Sequence, residues 1–303
     1  MPRKANINIE IATKNFLNRT KRHAKTSTIA RYTFVCEKHI IPFFQNTEVT
    51  AKSVQRFIAH KTKQGGLNGK PLSPKSIHDM AGLLLQILKP YQLHMDIVKP
   101  TYTSSEISIF SEGEHNRLKA YVSTATDSKK LGIIVVMLTG IRLGELCALK
   151  WENIDLENEH IFINKTMQRI AVKDAESKTK IMIDMPKSKN SVRKIPIPSV
   201  LSQMLKQFQS YDDTYLLTNT RKHIEPRAYQ KYFKACLHDC DIKDNNFHAL
   251  RHTFATNAVA KGVDIKTLSL LLGHTDVAFT MKRYVHPHME HRRMQIEKMA
   301  VGF

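Results

Sequence analysis

The chain has 303 residues and carries 47 Lys and Arg against 27 Asp and Glu, a formal net charge of +20. That length leaves room for two hydrophobic cores, and the surplus of cations points to a polyanionic partner, nucleic acid ahead of an anionic membrane surface, rather than to a small metabolite. No apolar run approaches the roughly 18 to 20 residues that span a bilayer, and the opening MPRKANINIE has no signal-peptide core, which predicts a soluble intracellular protein.

The first third is the more basic part, with 17 Lys and Arg against 5 acids through Pro100. It reads as four short helices. NIEIATKNFLNRTKRH places Ile9, Ala12, Phe16 and Leu17 near helical spacing, and STIARYTFVCEKHIIPFF repeats the pattern until Pro42 should interrupt it. Thr50 is placed to cap AKSVQRFIAHKTKQGG, which should end at Gly65 and Gly66; Ser73-Pro74 should open a helix running to Lys89-Pro90. VKPTYTSSEISI lacks periodicity and is rich in Ser and Thr, which suits a linker. The expected division is therefore residues 1–98, a linker over 99–109, and a second domain over 110–303.

In that second domain Ser111 and Glu114 stand at capping-box spacing, and KLGIIVVMLTG reads as a buried helix ending near Gly140. HIFINKT, IMIDMPKS and RKIPIP are β-branched and partly alternating, which predicts one small antiparallel sheet. Helices resume at VLSQMLKQF. The fold class is thus mainly α with a small antiparallel β-sheet. Cys36, Cys147, Cys236 and Cys240 are too sparse for a disulfide framework and fit a reducing compartment. CLHDC puts Cys236 and Cys240 around His238; packing of free thiols is favoured there over zinc, because no second pair stands at ligand spacing.

Four segments place phosphate-seeking or proton-handling side chains beside tight local structure. In LTGIRLGELCALKW, Arg142 follows Gly140 and shares a helical face with Glu145, an arginine fork held by a carboxylate. MPKSKNSVRKIPIP carries Lys187, Lys189, Arg193 and Lys194 across a turn at Lys189-Asn190-Ser191. FHALRHTFATNAV crowds His248, Arg251 and His252 at the start of a helix; the His pair has zincin spacing but lacks the intervening Glu. In LLGHTDVAFTMKRYVHPH, Gly273 stops a leucine-rich helix, His274 follows, Thr275 or Asp276 can cap the next helix, and Tyr284 stands near its end.

Arg, Lys, His-x-x-Arg, Gly-His and Tyr in that order resemble the tyrosine recombinase family, the phage-integrase-like site-specific recombinases. The resemblance covers essentially the whole chain and implies an N-terminal helical core-binding (SAM-like) domain followed by an α+β catalytic domain with a tail helix from about residue 286. It assigns Arg142, Lys187, His248, Arg251 and His274 to catalysis, Tyr284 to the nucleophile, and Glu145 to support of Arg142, with Lys189 as the alternative lysine. Ala249 stands where Asp is common in the His-x-x-Arg box. The implied reaction is integration or excision of a mobile element through a 3′-phosphotyrosyl intermediate, independent of metal, ATP or any cofactor. The implied partners are double-stranded core-type DNA sites, a homotetramer on that DNA built from a protein monomeric when free, and a directionality factor, in the cytoplasm of a bacterial or phage-infected cell.

The hairpin lacks the glycine of Xer-type recombinases, which leaves chromosome-dimer resolution as the alternative, ahead of a type IB topoisomerase-like enzyme or a non-catalytic DNA-binding regulator. Helical core-binding sequence begins almost at once, so no arm-binding domain is expected. Met289, Met294, Ile296 and Met299 are apolar anchors in the tail, for docking within the subunit or on a neighbour.

The chemistry explains why these residue types go together. With no clustered carboxylates for a catalytic cation, fixed arginines must hold the non-bridging oxygens of a pentacovalent transition state. A cationic pocket favours the phenolate of a tyrosine whose ordinary pKa is about 10, histidines position or accept protons, and a hairpin lysine can protonate the leaving 5′ oxygen.

Overall fold

The computed structural model describes residues 7–92, 96–103, 107–124, 127–172, 179–185 and 189–285, together with 293, 296, 297, 299 and 300. Lys187, the side chain of Lys189, and Met289 and Met294 lie outside the described residues. The chain divides into two compact units: Met1–Ser105 with Arg169–Lys180, and Glu106–Gln168 with Ile181–Phe303.

The first unit is helical. Helix α1 (Ile9–Lys21) starts where the Asn8 side chain accepts from Glu10 and Ile11 N–H, and α2 (Thr26–Val35) follows. Pro42 does not interrupt the second helical segment as its sequence suggests. A π-helical stretch, Cys36–Ile40, leads directly into α3 (Ile41–Phe44) with Pro42 in its first turn. A proline ring clashes with the carbonyl four residues back in a regular α-helix, and one widened turn relieves that clash without ending the helix. Helix α4 (Ala51–Gln64) opens on a reciprocal box in which Thr50 and Ser53 bond each other's backbone N–H, and α5 (Pro74–Leu88) opens on Ser73 with Pro74 in its first turn. Apolar positions at helical spacing, among them Ile40, Phe57, Ile77 and Leu84, meet in one core.

The second unit begins with α6 (Glu112–Ser123), capped reciprocally by Ser111 and Glu114. Helix α7 (Ser128–Thr139) is central, with Leu131, Ile133, Val135 and Val136 wholly buried. Gly140 ends it at φ +64°, in the left-handed region open to glycine, and Phe254 packs where a β-carbon would stand. Helix α8 (Leu143–Ala148) follows within three residues.

Two small sheets replace the single one expected. Strand β2 (His160–Ile163) lies between β1 (Ile154–Asp155) and β5 (Arg193–Pro196), both antiparallel to it, with Ile161 opposite Ile154 and Ile195. Both edges of β2 are thereby taken, and β4 (Thr179–Asp184), which carries IMID, pairs instead with β3 (Thr166–Ala171). Helices α9 (Ser199–Phe208), α10 (Pro226–Asp239), α11 (His248–Ala260), α12 (Ile265–Leu272) and α13 (Val277–Tyr284) complete the unit. Cys236, on α10, belongs to the apolar core. Helix α11 packs along α7, and α12 turns into α13 through Gly273, again left-handed at φ +65°. Ile296 and Met299 are exposed, and no helix among the described residues is long and apolar enough to cross a membrane.

Candidate active site

The cluster is built where two helices run out. The last carbonyls of a helix lack intrahelical partners and carry its negative end, so cations gather there. Arg251, on the first turn of α11, donates from Nη1 to the Gly140 carbonyl after α7 (2.7 Å) and from Nη2 to the Leu272 carbonyl at the end of α12 (2.8 Å). Arg142, the residue preceding α8, donates from Nη2 to the Gly273 carbonyl (2.9 Å). The two left-handed glycines thus turn the chain at the points where both arginines are fastened.

Arg142 and Glu145 pair as their spacing suggests, through the side chain and the backbone. Arg142 Nη1 donates to Glu145 Oε1 at 2.7 Å and its backbone N–H to Oε2 at 3.0 Å, and the Glu145 side chain is 2% exposed. A second arginine holds the same carboxylate. Arg193 Nη1 and Nη2 donate to Glu145 Oε1 and Oε2 at 3.2 and 3.0 Å, while its Nε donates to the Leu271 carbonyl at 2.6 Å. Burial alone would raise the Glu145 pKa, but Arg193 and then Arg142 outweigh it and hold the carboxylate below its ordinary range.

The sequence places Arg193 with Lys187, Lys189 and Lys194 in one basic segment; its side chain is 7% exposed and turned to Glu145. The signal was present in the strand, because Arg193 and Ile195 share the inward parity of β5 while Lys194 faces out. Arg251 is also buried, and burial followed by the Arg142 charge lowers its pKa to about 9, which leaves the guanidinium charged at neutral pH.

His274 Nε2 stands 2.9 Å from Arg251 Nη2, and its Nδ1 stands 2.7 Å from Thr280 Oγ1. Its ring lies parallel to that of Tyr284, with centroids 6.4 Å apart and 4° between planes. Tyr284, the last residue of α13, is buried among Ala255, Ala258, Leu268 and Leu272. Burial raises its pKa, opposed by the charges of Arg251, Arg283 and Arg142. Its hydroxyl is 2.8 Å from His252 Nδ1. His248 is exposed at the start of α11, its pKa lowered by desolvation and by Arg251 and Arg142, and its ring centroid is 6.3 Å from that of His252.

Of the residues singled out in the sequence, the structure brings Arg142, Glu145, Arg251, His274 and Tyr284 into one connected cluster, with His248 at its exposed side. The parts that sequence missed are the Arg193 brace, the Thr280 contact and the bond from His252 to Tyr284. The last joins α11 to α13, and no local pattern in either helix announces it. Arg142 and Arg251 have five N–H donors each, and the bonds given above leave donors on both for an oxyanion. Among the described residues no group of three or more His, Cys, Asp or Glu stands together to hold a metal ion.

Comparison with known proteins follows the same lines. Residues 109–291 match the model of the phage integrase family. A XerC-like tyrosine recombinase of Caldanaerobacter subterraneus subsp. tengcongensis is 32% identical over 206 residues, which cover 60% of this chain and 51% of that protein. The match thus spans about half the length of that relative. The ICEBs1 integrase of Bacillus subtilis is 23% identical over 295 residues, covering 88% of this chain and 75% of the integrase. Among solved structures, the Tn1549 transposon integrase in complex with transposon right end DNA shares the fold with a TM-score of 0.73 at 18% identity, over 97% of this chain and 100% of that one. The lambda integrase bound to DNA gives 0.63 at 15% identity, over 89% and 92%.

Proposed function

The chain belongs to the phage integrase family, and from that premise we propose that it is a site-specific DNA recombinase that integrates and excises a mobile element. The observation that carries this reading is the convergence of Arg142, Arg251, His274 and Tyr284 on the ends of α7 and α12. Arg142 and Arg251 hold the non-bridging oxygens of the scissile phosphate and stabilise the charge that grows there, from positions fixed before DNA arrives. Tyr284 attacks phosphorus, the 5′ oxygen leaves, and the 3′-phosphotyrosyl bond stores the energy for rejoining. His248 and His274 bond the phosphate or assist proton transfer. Lys187, with Lys189 as the alternative, protonates the leaving oxygen.

The basic residues through Pro100 supply phosphate contacts for affinity, as a core-binding domain beside a catalytic one. Exchange between two duplexes needs four such subunits, so the working form is a tetramer on two sites, with a directionality factor setting the outcome. The integrases of ICEBs1 and Tn1549 support the mobile-element reading. The XerC-like relative favours a second one, resolution of chromosome dimers.

Covalent trapping on pooled fragments of element ends and chromosomal sites tests both. The wild type should leave a protein–DNA adduct on an element end, and Tyr284→Phe should leave none. Adducts formed equally by Tyr284→Phe would remove Tyr284 as nucleophile. Adducts confined to a chromosomal site, with exchange between two copies of it, would establish the second reading.

A further inference from the structure

Tyr284 must lose a proton as it attacks, and the geometry decides which histidine is placed to take it. The His274 ring lies parallel to that of Tyr284, but before DNA binds both of its nitrogens are engaged. A guanidinium only donates, so His274 Nε2, 2.9 Å from Arg251 Nη2, accepts; Nδ1 then carries the hydrogen and donates to Thr280 Oγ1 at 2.7 Å. Toward Tyr284, His274 offers only a parallel ring, with centroids 6.4 Å apart. His252 approaches differently. It follows Arg251 on α11, is half-buried, and sets Nδ1 2.8 Å from the Tyr284 hydroxyl, with ring centroids 5.8 Å apart.

We propose that His252 Nδ1 accepts the Tyr284 proton during strand cleavage. The proposal rests on Tyr284 being the nucleophile. In the step, the bond from Tyr284 Oη to phosphorus forms, the Oη proton passes to Nδ1, the bond from phosphorus to the 5′ oxygen breaks, and that oxygen takes a proton from a lysine ammonium. In the reverse reaction His252 returns the proton to the departing phenolate.

The surroundings of His252 make this acceptance conditional on substrate. Burial first, then the charges of Arg283, His248 and Arg251, lower its pKa to about 4. The resting imidazole is therefore neutral and free to accept from the hydroxyl, yet weakly basic. A phosphate held by Arg142 and Arg251 brings negative charge among the cations that depress it, and an opposite charge nearby favours the protonated ring. The base gains strength when DNA is in place, which protects the free enzyme from attacking other electrophiles.

The test uses the full chain and a duplex carrying the cleavage site mapped by Tyr284-dependent trapping, made with the scissile 5′ oxygen either intact or replaced by sulfur. A thiolate leaves without an acid, so a group that acts on the leaving side becomes dispensable with sulfur and a group that acts on the nucleophile does not. His252→Ala should slow cleavage of both substrates by about 10²-fold to 10⁴-fold with DNA binding unchanged. Added imidazoles should restore the rate, the more basic ones more strongly. His252→Asn presents an amide oxygen near the position of Nδ1, accepting a hydrogen bond but no proton, and should stay slow. Wild-type cleavage by His252→Asn would reduce His252 to a hydrogen-bond acceptor and overturn the proposal. So would recovery of His252→Ala on the sulfur substrate, or no response to imidazole. Failure of the nucleophile reading looks different, since there Tyr284→Phe still forms the adduct.

Discussion

Replacing Arg193 by methionine keeps an unbranched aliphatic stem in the same space and removes the fork that holds Glu145. The carboxylate stays 2% exposed and retains only Arg142, whose side chain is 31% exposed and so shields it less completely. Removing one partner of a buried ion pair costs roughly 3–5 kcal/mol, because the other charge is left without compensation. The surviving bond at 2.7 Å from Arg142 places the expected loss at the lower end, about 3 kcal/mol. The chain's one tryptophan, Trp151, is buried in the same unit with Nε1 bonded to Asn219, so its fluorescence in urea follows this unit alone. With a slope of about 2–3 kcal/mol per molar urea, the midpoint should fall by about 1–1.5 M. Adding Glu145→Gln to Arg193→Met removes the stranded charge and should recover most of the loss, giving a strongly non-additive cycle. A loss under about 1 kcal/mol from Arg193→Met, or additive effects of the two substitutions, would refute the brace.

Two further outcomes follow from the same cluster. His252 and His274 have pKa values lowered from 6.5 to about 4 and about 3, in each case chiefly by burial. The unfolded chain then binds more protons than the native one once the pH falls below about 6.5, so stability should drop steadily from there toward pH 4 and be flat for these groups above pH 7. The Trp151 urea midpoint measured across that range checks the sign, and a midpoint that holds or rises on acidification would contradict it. Gly273→Ala forces a left-handed φ of +65° on a residue with a β-carbon, which would also stand 2.9 Å from Arg193 Nη1. It should cost about 1–2 kcal/mol and slow cleavage together, by shifting His274; unchanged stability in urea would show that the turn bears no strain.

Much of this was legible in the chain because it is local. Thr50, Ser73 and Ser111 cap helices where their spacing to the next turn says they should, and Gly140 and Gly273 end helices because only their backbone takes the left-handed turn cheaply. Arg142, Glu145, Arg251, His274 and Tyr284, which meet in the cluster, each sit in a short motif and stand out for the same reason. What could not be read depends on chain ends meeting far away in sequence. IMID has the composition of a sheet strand, but which edge it finds depends on β2 being already flanked. Pro42 breaks a helix by the usual rule and is absorbed here by a local change of helical pitch. Arg193 lies between these cases. Its parity with Ile195 marked it as inward, but only the position of Glu145 gives an inward arginine its reason.

Arg193 also acts as a mooring for the segment that precedes β5. It fastens the start of β5 to Leu271 and Glu145, and Lys187 and Lys189 precede it by six and four residues. At about 3.3–3.6 Å per residue, the backbone at Lys187 can lie no further than roughly 20 Å from that anchor, whatever path it takes. A tether of that length would keep the acid proposed above at a millimolar or higher local concentration with respect to that anchor. Lengthening the segment between Lys189 and Arg193 would dilute that acid without altering any group that touches the phosphate, so cleavage of oxygen-linked DNA should slow while cleavage of the sulfur-linked duplex keeps its rate.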